Sequence, residues 1–309
     1  MNRRSFIAVG TAATVLGSTA LTTDTHAADT SASSQRFKLK YAPGPGMFKN
    51  LAGDNVLDQI KFIHDQGFGA FFDNGLMGRP ADMQERIAQT LSGLGMELGP
   101  FVLYADFGVK SFVLSSADTR KMLTDKARQG VETAKRTGAK WALMVPGRYD
   151  ESLEWDYQTA NVIDNLKYCA DICGQGGLTI VIEPLNPHDH PGLFLTKIPQ
   201  AYQICKAVGS PFCKIVNDLY HQQITEGNLI PNINRAWSEI AAFHIGDNPG
   251  RKEPGTGEIN IKISSAISTK KDIQVFCVWS TASAAADEKE NRHFWRPIGN
   301  ATAFEESNS

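Results

Sequence analysis

The sequence predicts an α/β chain folded as a (β/α)8 barrel, the TIM barrel architecture. Strand and helix signals alternate from Phe37 onward, in a chain of 309 residues that is long enough for a barrel. The strand segments are apolar throughout, which is typical of a parallel sheet buried on both faces. Glycines lie at or near the ends of the predicted helices, where left-handed C-caps favour this residue. They are Gly67, Gly95, Gly138, Gly174 and Gly209.

The strands are predicted where a short apolar run ends in turn residues or in a polar side chain. In chain order they cover 37–42, 70–73, 97–103, 141–146, 178–183, 213–218 and 241–245. The helices between them are predicted from apolar residues at helical spacing. They cover 54–66, 80–94, 118–137, 157–173, 198–208 and 229–240. A doubly wound sheet is the alternative, but no glycine-rich phosphate loop follows the first strand, which favours the barrel.

The eighth β/α unit is expected to be aberrant or incomplete. Residues 273–279 have strand character but include no acidic side chain. Residues 281–309 show no clear amphipathic period and are predicted to form an irregular tail. We therefore expect the barrel domain to span residues 37–280.

The first 28 residues resemble a twin-arginine export signal rather than part of the fold. Arg3 and Arg4 precede a moderately apolar stretch, and a small-x-small cleavage site follows at 25–27. An uncleaved membrane anchor is the alternative, but the apolar stretch is short and weak for a membrane span. The polar, serine-rich segment 29–36 is predicted to be a linker. These features predict a periplasmic protein that has no membrane attachment after cleavage.

The composition excludes several classes of function. The net charge is −2, which gives no general attraction to nucleic acids or anionic membranes. Five cysteines occur without a CxxC pair, so neither a disulfide framework nor a cysteine zinc site is expected. The sequence leaves open whether the chain forms a homo-oligomer.

Three ligand-capable side chains lie at the carboxyl ends of successive predicted strands. They are Glu183, Asp218 and His244. A lone acidic residue at a strand end is commonly the N-cap of the next helix. Three such groups on consecutive strands instead point to one shared ion, because active sites of β/α barrels lie at this end. Two carboxylates and an imidazole favour Mn²⁺ or Mg²⁺, with Co²⁺ and Zn²⁺ as alternatives.

Further polar residues surround these strand ends. His221 follows Asp218 by three positions, and Asn186, Asp189 and two histidines follow Glu183 closely. Arg251 lies in a long Gly/Pro-rich loop, and its planar guanidinium suits a substrate carboxylate. Loops of this length between a strand and a helix are commonly functional.

Three segments carry a resemblance to a known family. The loop DNPGRKEPGTGEIN at 247–260 resembles the signature loop of the hydroxypyruvate isomerase family, and 182–186 and 217–221 resemble its two other motifs. The wider group is the xylose isomerase-like barrel superfamily, which includes ketose 3-epimerases and endonuclease IV. The resemblance covers about residues 37–260 and ends there.

The resemblance implies a divalent metal bound by Glu183, Asp218 and His244, and substrate contacts from His221, Arg251 and Asp189. It also implies that Glu183 is a catalytic base that moves a proton between neighbouring carbons through an ene-diolate. In the family a second glutamate on the eighth strand is both base and fourth ligand. This chain shows no such residue in its predicted strand. A reading-frame shift, divergence that recruits Glu288 or Glu290, and loss of catalysis are competing explanations.

The predicted function is therefore a metal-dependent isomerase of small hydroxy-carbonyl compounds, impaired if the eighth-strand glutamate is lost. A ketose 3-epimerase and a non-catalytic exported protein that binds metal or carbohydrate are the alternatives. DNA repair of the endonuclease IV type is disfavoured, because it needs a richer set of zinc ligands and a basic groove.

Overall fold

The structure is a computed structural model that describes Phe37, residues 39–260 and the backbone of residues 276–279. Every described residue belongs to one compact unit of the chain. The predicted export signal, the linker and the tail beyond residue 280 lie outside the described residues.

The strands are parallel and form a ring. They are β1 (Lys40–Ala42), β2 (Ala70–Phe71), β3 (Glu97–Leu98), β4 (Phe101–Tyr104), β5 (Trp141–Met144), β6 (Thr179–Ile182), β7 (Cys213–Asp218), β8 (Ile240–Ile245) and β9 (Phe276–Trp279). One sheet has the order β1-β9-β8-β7-β6-β5-β4, and β2 pairs with β3. Phe72 N–H donates to Pro43 O at 3.2 Å, and Val102 N–H donates to Asn74 O at 3.3 Å. These two bonds connect β2 to its neighbours and complete the barrel that the sequence predicts.

The third strand position is divided, contrary to the single strand predicted over 97–103. β3 ends at Leu98, and β4 begins at Phe101. Gly99 and Pro100 lie between them, and proline has no N–H to donate to a neighbouring strand. A Cβ on Gly99 would lie 3.1 Å from the Cβ of Phe72, so the backbones approach closely here. The prediction of one continuous strand was wrong because it rested on the apolar character of the segment and did not take this interruption into account.

Helices cover the outside of the barrel at the predicted positions. They are α1 (Lys49–Ala52), α2 (Val56–Asp65), α3 (Ala81–Gly93), α4 (Ala117–Thr137), α5 (Trp155–Gln175), α6 (Ile198–Val208), α7 (Leu219–Thr225) and α8 (Leu229–Ala236). The short α1 and α7 were not predicted. The helix predicted over 229–240 ends early, because a 3-10 turn covers Trp237–Glu239 and Ile240 begins β8.

Side chains on the strands alternate between the barrel interior and the helix layer. Val181, Val216 and Ala242 belong to one buried cluster, whereas Ile180, Ile182 and Ile215 pack into the larger core. This alternation is the period of two that a strand imposes. The residue two positions after each of the first three therefore also points inward, at the carboxyl end of its strand.

The last strand, β9, pairs with β8 on one side and β1 on the other. It falls within the strand predicted over 273–279, and it fills the eighth position of the barrel. The segment 261–275 that precedes it lies outside the described residues.

Four cysteines are buried and free in the described part of the chain. They are Cys169, Cys173, Cys205 and Cys213. Burial raises the pKa of the Cys173 thiol to about 12, which is typical of an unreactive core thiol. Among the described residues, no helix combines the length and the apolar character needed to cross a bilayer.

The N-cap of α4 provides a local test of stability. Ser116 accepts a hydrogen bond from Thr119 N–H at 3.1 Å. We expect Ser116→Ala to lower the free energy of unfolding by about 1 kcal/mol, because one helix N–H loses its partner. Urea unfolding measures the change. Ser92→Ala, at an exposed position within α3, is the matched control and should shift it by less than about 0.5 kcal/mol. Equal effects of the two changes would contradict a capping role.

Candidate metal centre

Three strands bring the predicted ligands to one end of the barrel interior. Glu183 lies two residues after Val181, Asp218 two after Val216, and His244 two after Ala242. The strand register aligns Asp218 with His244 directly. All three side chains are buried. The inward alternation of the strands thus places them together where active sites of β/α barrels lie.

The two carboxylates contact the His244 imidazole. His244 Nδ1 lies 2.7 Å from Glu183 Oε1 and 3.8 Å from Asp218 Oδ2. Burial alone would raise the pKa of Glu183, but His244 and more distant cations lower it to about 2. Burial would lower the pKa of His244, but the two carboxylates outweigh it and raise that pKa above its ordinary value. The site therefore favours a positive charge between the two acids.

Asp218 has two separate tasks. Its Oδ1 accepts hydrogen bonds from Tyr220 N–H at 2.9 Å and His221 N–H at 3.4 Å, and so caps α7. Its Oδ2 lies 2.7 Å from an Arg251 guanidinium nitrogen and 3.6 Å from His221 Nε2. The capping role and the site role of a strand-end carboxylate are therefore compatible.

The donor set fits a divalent cation. The ligand atoms of Glu183, Asp218 and His221 lie within 4.8 Å of one another. His221 Nε2 is buried and has no hydrogen-bond partner in the described part of the molecule. Two buried carboxylates beside His221 and His244 form the mixed oxygen and nitrogen set that such ions take. The structure thus adds His221 to the candidates for the imidazole ligand, beside the predicted His244.

The signature loop is organised by the buried carboxylate of Asp247. It accepts hydrogen bonds from Asn248 N–H at 2.9 Å, Gly255 N–H at 2.8 Å and Ile259 N–H at 3.0 Å. A Cβ on Gly257 would lie 2.2 Å from Asn248 O, so only glycine fits there. The loop holds Arg251 in the left-handed region, with φ at 52°, and directs its side chain to Asp218.

A cavity of about 440 Å³ opens beside these residues. Glu183, His190, His221, His244 and Arg251 supply much of its polar lining, and apolar side chains line much of the remainder. The apolar set includes Pro45, Met47, Phe72, Val102, Phe107, Leu143, Val145 and Leu185. Such a pocket, with a few convergent polar groups, is typical of a site for a small molecule.

Asp73 and Asn74 also line the cavity, and sequence reasoning missed them as site residues. The signal was available, because Asp73 follows its apolar strand as Glu183 follows β6. Asp73 is buried, accepts a hydrogen bond from Gly75 N–H at 3.0 Å, and pairs with Arg79.

Asp189, the third predicted substrate contact, is absent from the cavity lining. Its Oδ2 accepts hydrogen bonds from Asn186 Nδ2 at 3.0 Å and from the Tyr220 hydroxyl at 2.8 Å. The Asn186 hydrogen bond lowers the pKa of Asp189, and burial with Asp189 raises the pKa of Tyr220 to about 12. Of the two nearby histidines, His188 is exposed, whereas His190 lines the cavity.

Curated relatives match parts of the chain. A hydroxypyruvate isomerase of Escherichia coli (strain K12) is 34% identical over 136 residues, which are 44% of this chain and 53% of that protein. A 2-oxo-tetronate isomerase of Cupriavidus necator is 38% identical over 101 residues, or 33% of this chain and 39% of that protein. The chain thus spans about half, or less, of the length of these two relatives.

The fold is shared with solved structures. The crystal structure of AP endonuclease, family 2, from Brucella melitensis aligns with a TM-score of 0.72 at 21% identity. The alignment covers 84% of this chain and 98% of that one. At this identity the likeness concerns the fold alone.

The model of the xylose isomerase-like TIM barrel family matches residues 60–296. This match covers most of the chain and continues past Asn260, where the motif resemblance ends. This match and the parallel barrel show that the chain belongs to the xylose isomerase-like TIM barrel family.

Proposed function

We propose that the protein is a metal-dependent isomerase of small hydroxy-carbonyl compounds, of the hydroxypyruvate isomerase type. The observation that carries the proposal is the convergence of Glu183, Asp218 and His244 beside a cavity that Arg251 also lines. Relatives named hydroxypyruvate isomerase and 2-oxo-tetronate isomerase support this substrate class.

Glu183, Asp218 and His244 would hold the cation, which we infer to be Mn²⁺ or Mg²⁺. When bound, a divalent cation supplies Lewis acidity that weakens the C–H bond next to a substrate carbonyl. Glu183 then has the role of the base that moves the proton from one carbon to its neighbour.

Arg251 and His221 would position the substrate. A guanidinium fork suits the carboxylate of a hydroxy acid such as hydroxypyruvate. His221 and Arg251 also face the negative charge that an ene-diolate develops, and fixed donors stabilise such charge without reorganisation. We infer that apolar lining residues exclude water from the reacting carbons.

A ketose 3-epimerase is the second candidate, because a cavity of about 440 Å³ is also large enough for a free ketose. Epimerisation needs one base on each face of the substrate. The strand segment Phe276–Trp279 has no acidic residue in its sequence, so this strand supplies no second base opposite Glu183, which favours isomerisation. A non-catalytic binder of metal or carbohydrate is the third possibility.

The deciding experiment is proton exchange in deuterated water, followed by proton NMR. The full chain is stripped with a chelator, reloaded with Mg²⁺, and incubated with hydroxypyruvate, 2-oxo-tetronate or a free ketose. We expect deuterium on the carbon next to the carbonyl of the two hydroxy acids, and only after reloading. The isomeric aldehyde should form from hydroxypyruvate, and the isomeric 3-ketone from 2-oxo-tetronate. Epimer formation from the ketose instead would favour the epimerase. Binding by calorimetry without exchange on any compound would favour the binder and overturn the proposal.

We also propose that the protein is exported to the periplasm, on the basis of Arg3 and Arg4 and the segment that follows them. Changing both arginines to lysine should retain the protein in the cytoplasm of a Gram-negative host. Cell fractionation measures this, and Arg128→Lys, at an exposed position in α4, serves as the control for the same substitution elsewhere in the chain. Unchanged recovery from the periplasm would exclude the twin-arginine route.

A further inference from the structure

Two imidazoles border the carboxylates, and the position of their protons decides what each can do. A neutral imidazole carries its proton on one nitrogen, and only the other nitrogen can bind a cation or accept a hydrogen bond. His221 approaches Asp218 through Nε2, at 3.6 Å. The chemistry of His221 in the cavity therefore depends on the tautomer that its surroundings select.

The Asn186 side chain has its orientation fixed by Asp189. Its Oδ1 accepts the Asp189 N–H at 2.8 Å, and its Nδ2 donates to Asp189 Oδ2 at 3.0 Å. A rotated amide would place its NH₂ against the N–H and its oxygen against the carboxylate. Because both contacts would then be repulsive, Asn186 Nδ2 is a donor.

The same amide meets His221. Asn186 Nδ2 lies 2.7 Å from His221 Nδ1, and the Asn186 backbone N–H lies 3.4 Å from the same atom. Both groups can only donate, so Nδ1 must accept and carries no proton. The ring proton of His221 then resides on Nε2.

Tyr220 provides a second hydrogen bond to the Asp189 carboxylate. Its hydroxyl donates to Asp189 Oδ2 at 2.8 Å, so the carboxylate receives two donors at one oxygen. Hydrogen bonds thus run from Tyr220 and Asn186 into Asp189, and from Asn186 into His221. Each donor in the set has an acceptor. Reversing the direction of any one of these hydrogen bonds would leave a donor or an acceptor without its partner.

We propose that Asn186 and Asp189 are positioning residues that fix His221 in the tautomer protonated at Nε2. His221 then presents an N–H to the cavity as a hydrogen-bond donor, where Nε2 has no partner among the described residues. His244 is then the imidazole that can bind the cation. Only the identity of the substrate oxygen that accepts this bond rests on the proposed function; the tautomer does not.

Selective ¹⁵N labelling of histidine tests the proposal in the full chain. The sequence has seven histidines, so a long-range ¹H–¹⁵N correlation spectrum is uncrowded. In the metal-free protein at mildly alkaline pH, we expect His221 to show a protonated Nε2 and an unprotonated Nδ1. His221→Gln assigns the signals, and a short unstructured histidine peptide supplies the reference for an unbiased ring. A protonated Nδ1 in the wild-type protein would overturn the proposal, whether or not any variant folds.

Asn186→Ala tests the cause of the preference. We expect the ratio of the two tautomers at His221 to fall about five- to tenfold, the equivalent of one lost hydrogen bond. Asn186→Asp places an acceptor at Nδ1 and should invert the ratio. Asn161 lies on α5, and its side-chain amide donates to Val113 O at 2.8 Å. Asn161→Ala removes that amide and should leave the tautomer ratio of His221 unchanged. An unchanged ratio in both folded Asn186 variants would assign the tautomer to another cause and refute the positioning role.

The spectra and the exchange assay can fail independently. Absence of turnover with the predicted tautomer present would reject the proposed function alone. Turnover with a protonated Nδ1 would reject the positioning role alone.

Discussion

Glu183→Gln is expected to reduce isomerase activity by roughly 10²- to 10⁴-fold, the usual contribution of a positioned general base. Glutamine has nearly the same shape but cannot accept a proton from carbon. It also offers a weaker ligand, so the rate must be measured at saturating Mg²⁺ and the affinity separately by calorimetry. A loss of rate that persists at saturation assigns a proton-transfer role to Glu183.

The matched control for this change is Glu226→Gln. Glu226 lies outside the cavity lining, and its Oε1 accepts the Ile198 N–H at 2.7 Å, which a glutamine oxygen can also do. We expect full activity in that variant. If Glu183→Gln retained more than about a tenth of the wild-type rate, the base would have to be another residue.

Asp247→Ala is expected to lower the free energy of unfolding by about 3 kcal/mol, because three backbone N–H groups lose a charged acceptor. We expect activity to fall as well, since the loop that carries Arg251 loses the carboxylate that accepts its backbone hydrogen bonds. Thermal unfolding and the exchange assay measure the two effects on one preparation. Loss of activity with unchanged stability would mean that Asp247 acts on the substrate directly.

Glu253→Ala removes a carboxylate from the same loop and serves as the control. No hydrogen bond to the Glu253 side chain occurs in the described range, whereas its backbone carbonyl accepts from Thr256. We expect its stability to stay within about 0.5 kcal/mol of the wild type. Equal losses in the two variants would contradict the specific role of Asp247.

The barrel and the positions of its strands follow from local patterns in the sequence. Apolar runs and helix spacing are short-range signals, and they predict β5 to β8 and, apart from α7, the helices between them to within a few residues. The convergence of Glu183, Asp218 and His244 could be predicted because each lies at the carboxyl end of an apolar strand, and these ends meet at one end of a parallel barrel. That rule needs no knowledge of distant parts of the chain.

Other features depend on contacts between distant segments, which local patterns do not contain. Asn186 and His221 are separated by 35 positions, and their hydrogen bond sets a proton location that no motif specifies. Asp73 was missed because one acidic residue at a strand end is ambiguous until the cavity is known. The interruption at Gly99 and Pro100 reflects the close approach of another strand. Asp247 was treated as part of a motif, although its burial makes it the centre of that motif.

The pairing of β9 with both β8 and β1 has a consequence for synthesis of the protein. β1 is among the first segments of the barrel to leave the ribosome, yet its partner in the sheet is β9, the last strand in the described part of the chain. The ring cannot close until residue 279 has emerged, so the nascent chain carries an open sheet edge through most of translation. Such edges are sites of misassembly, and pairings between distant segments form slowly. We therefore expect β1 and β8 to be the edges open to mispairing until β9 has been made.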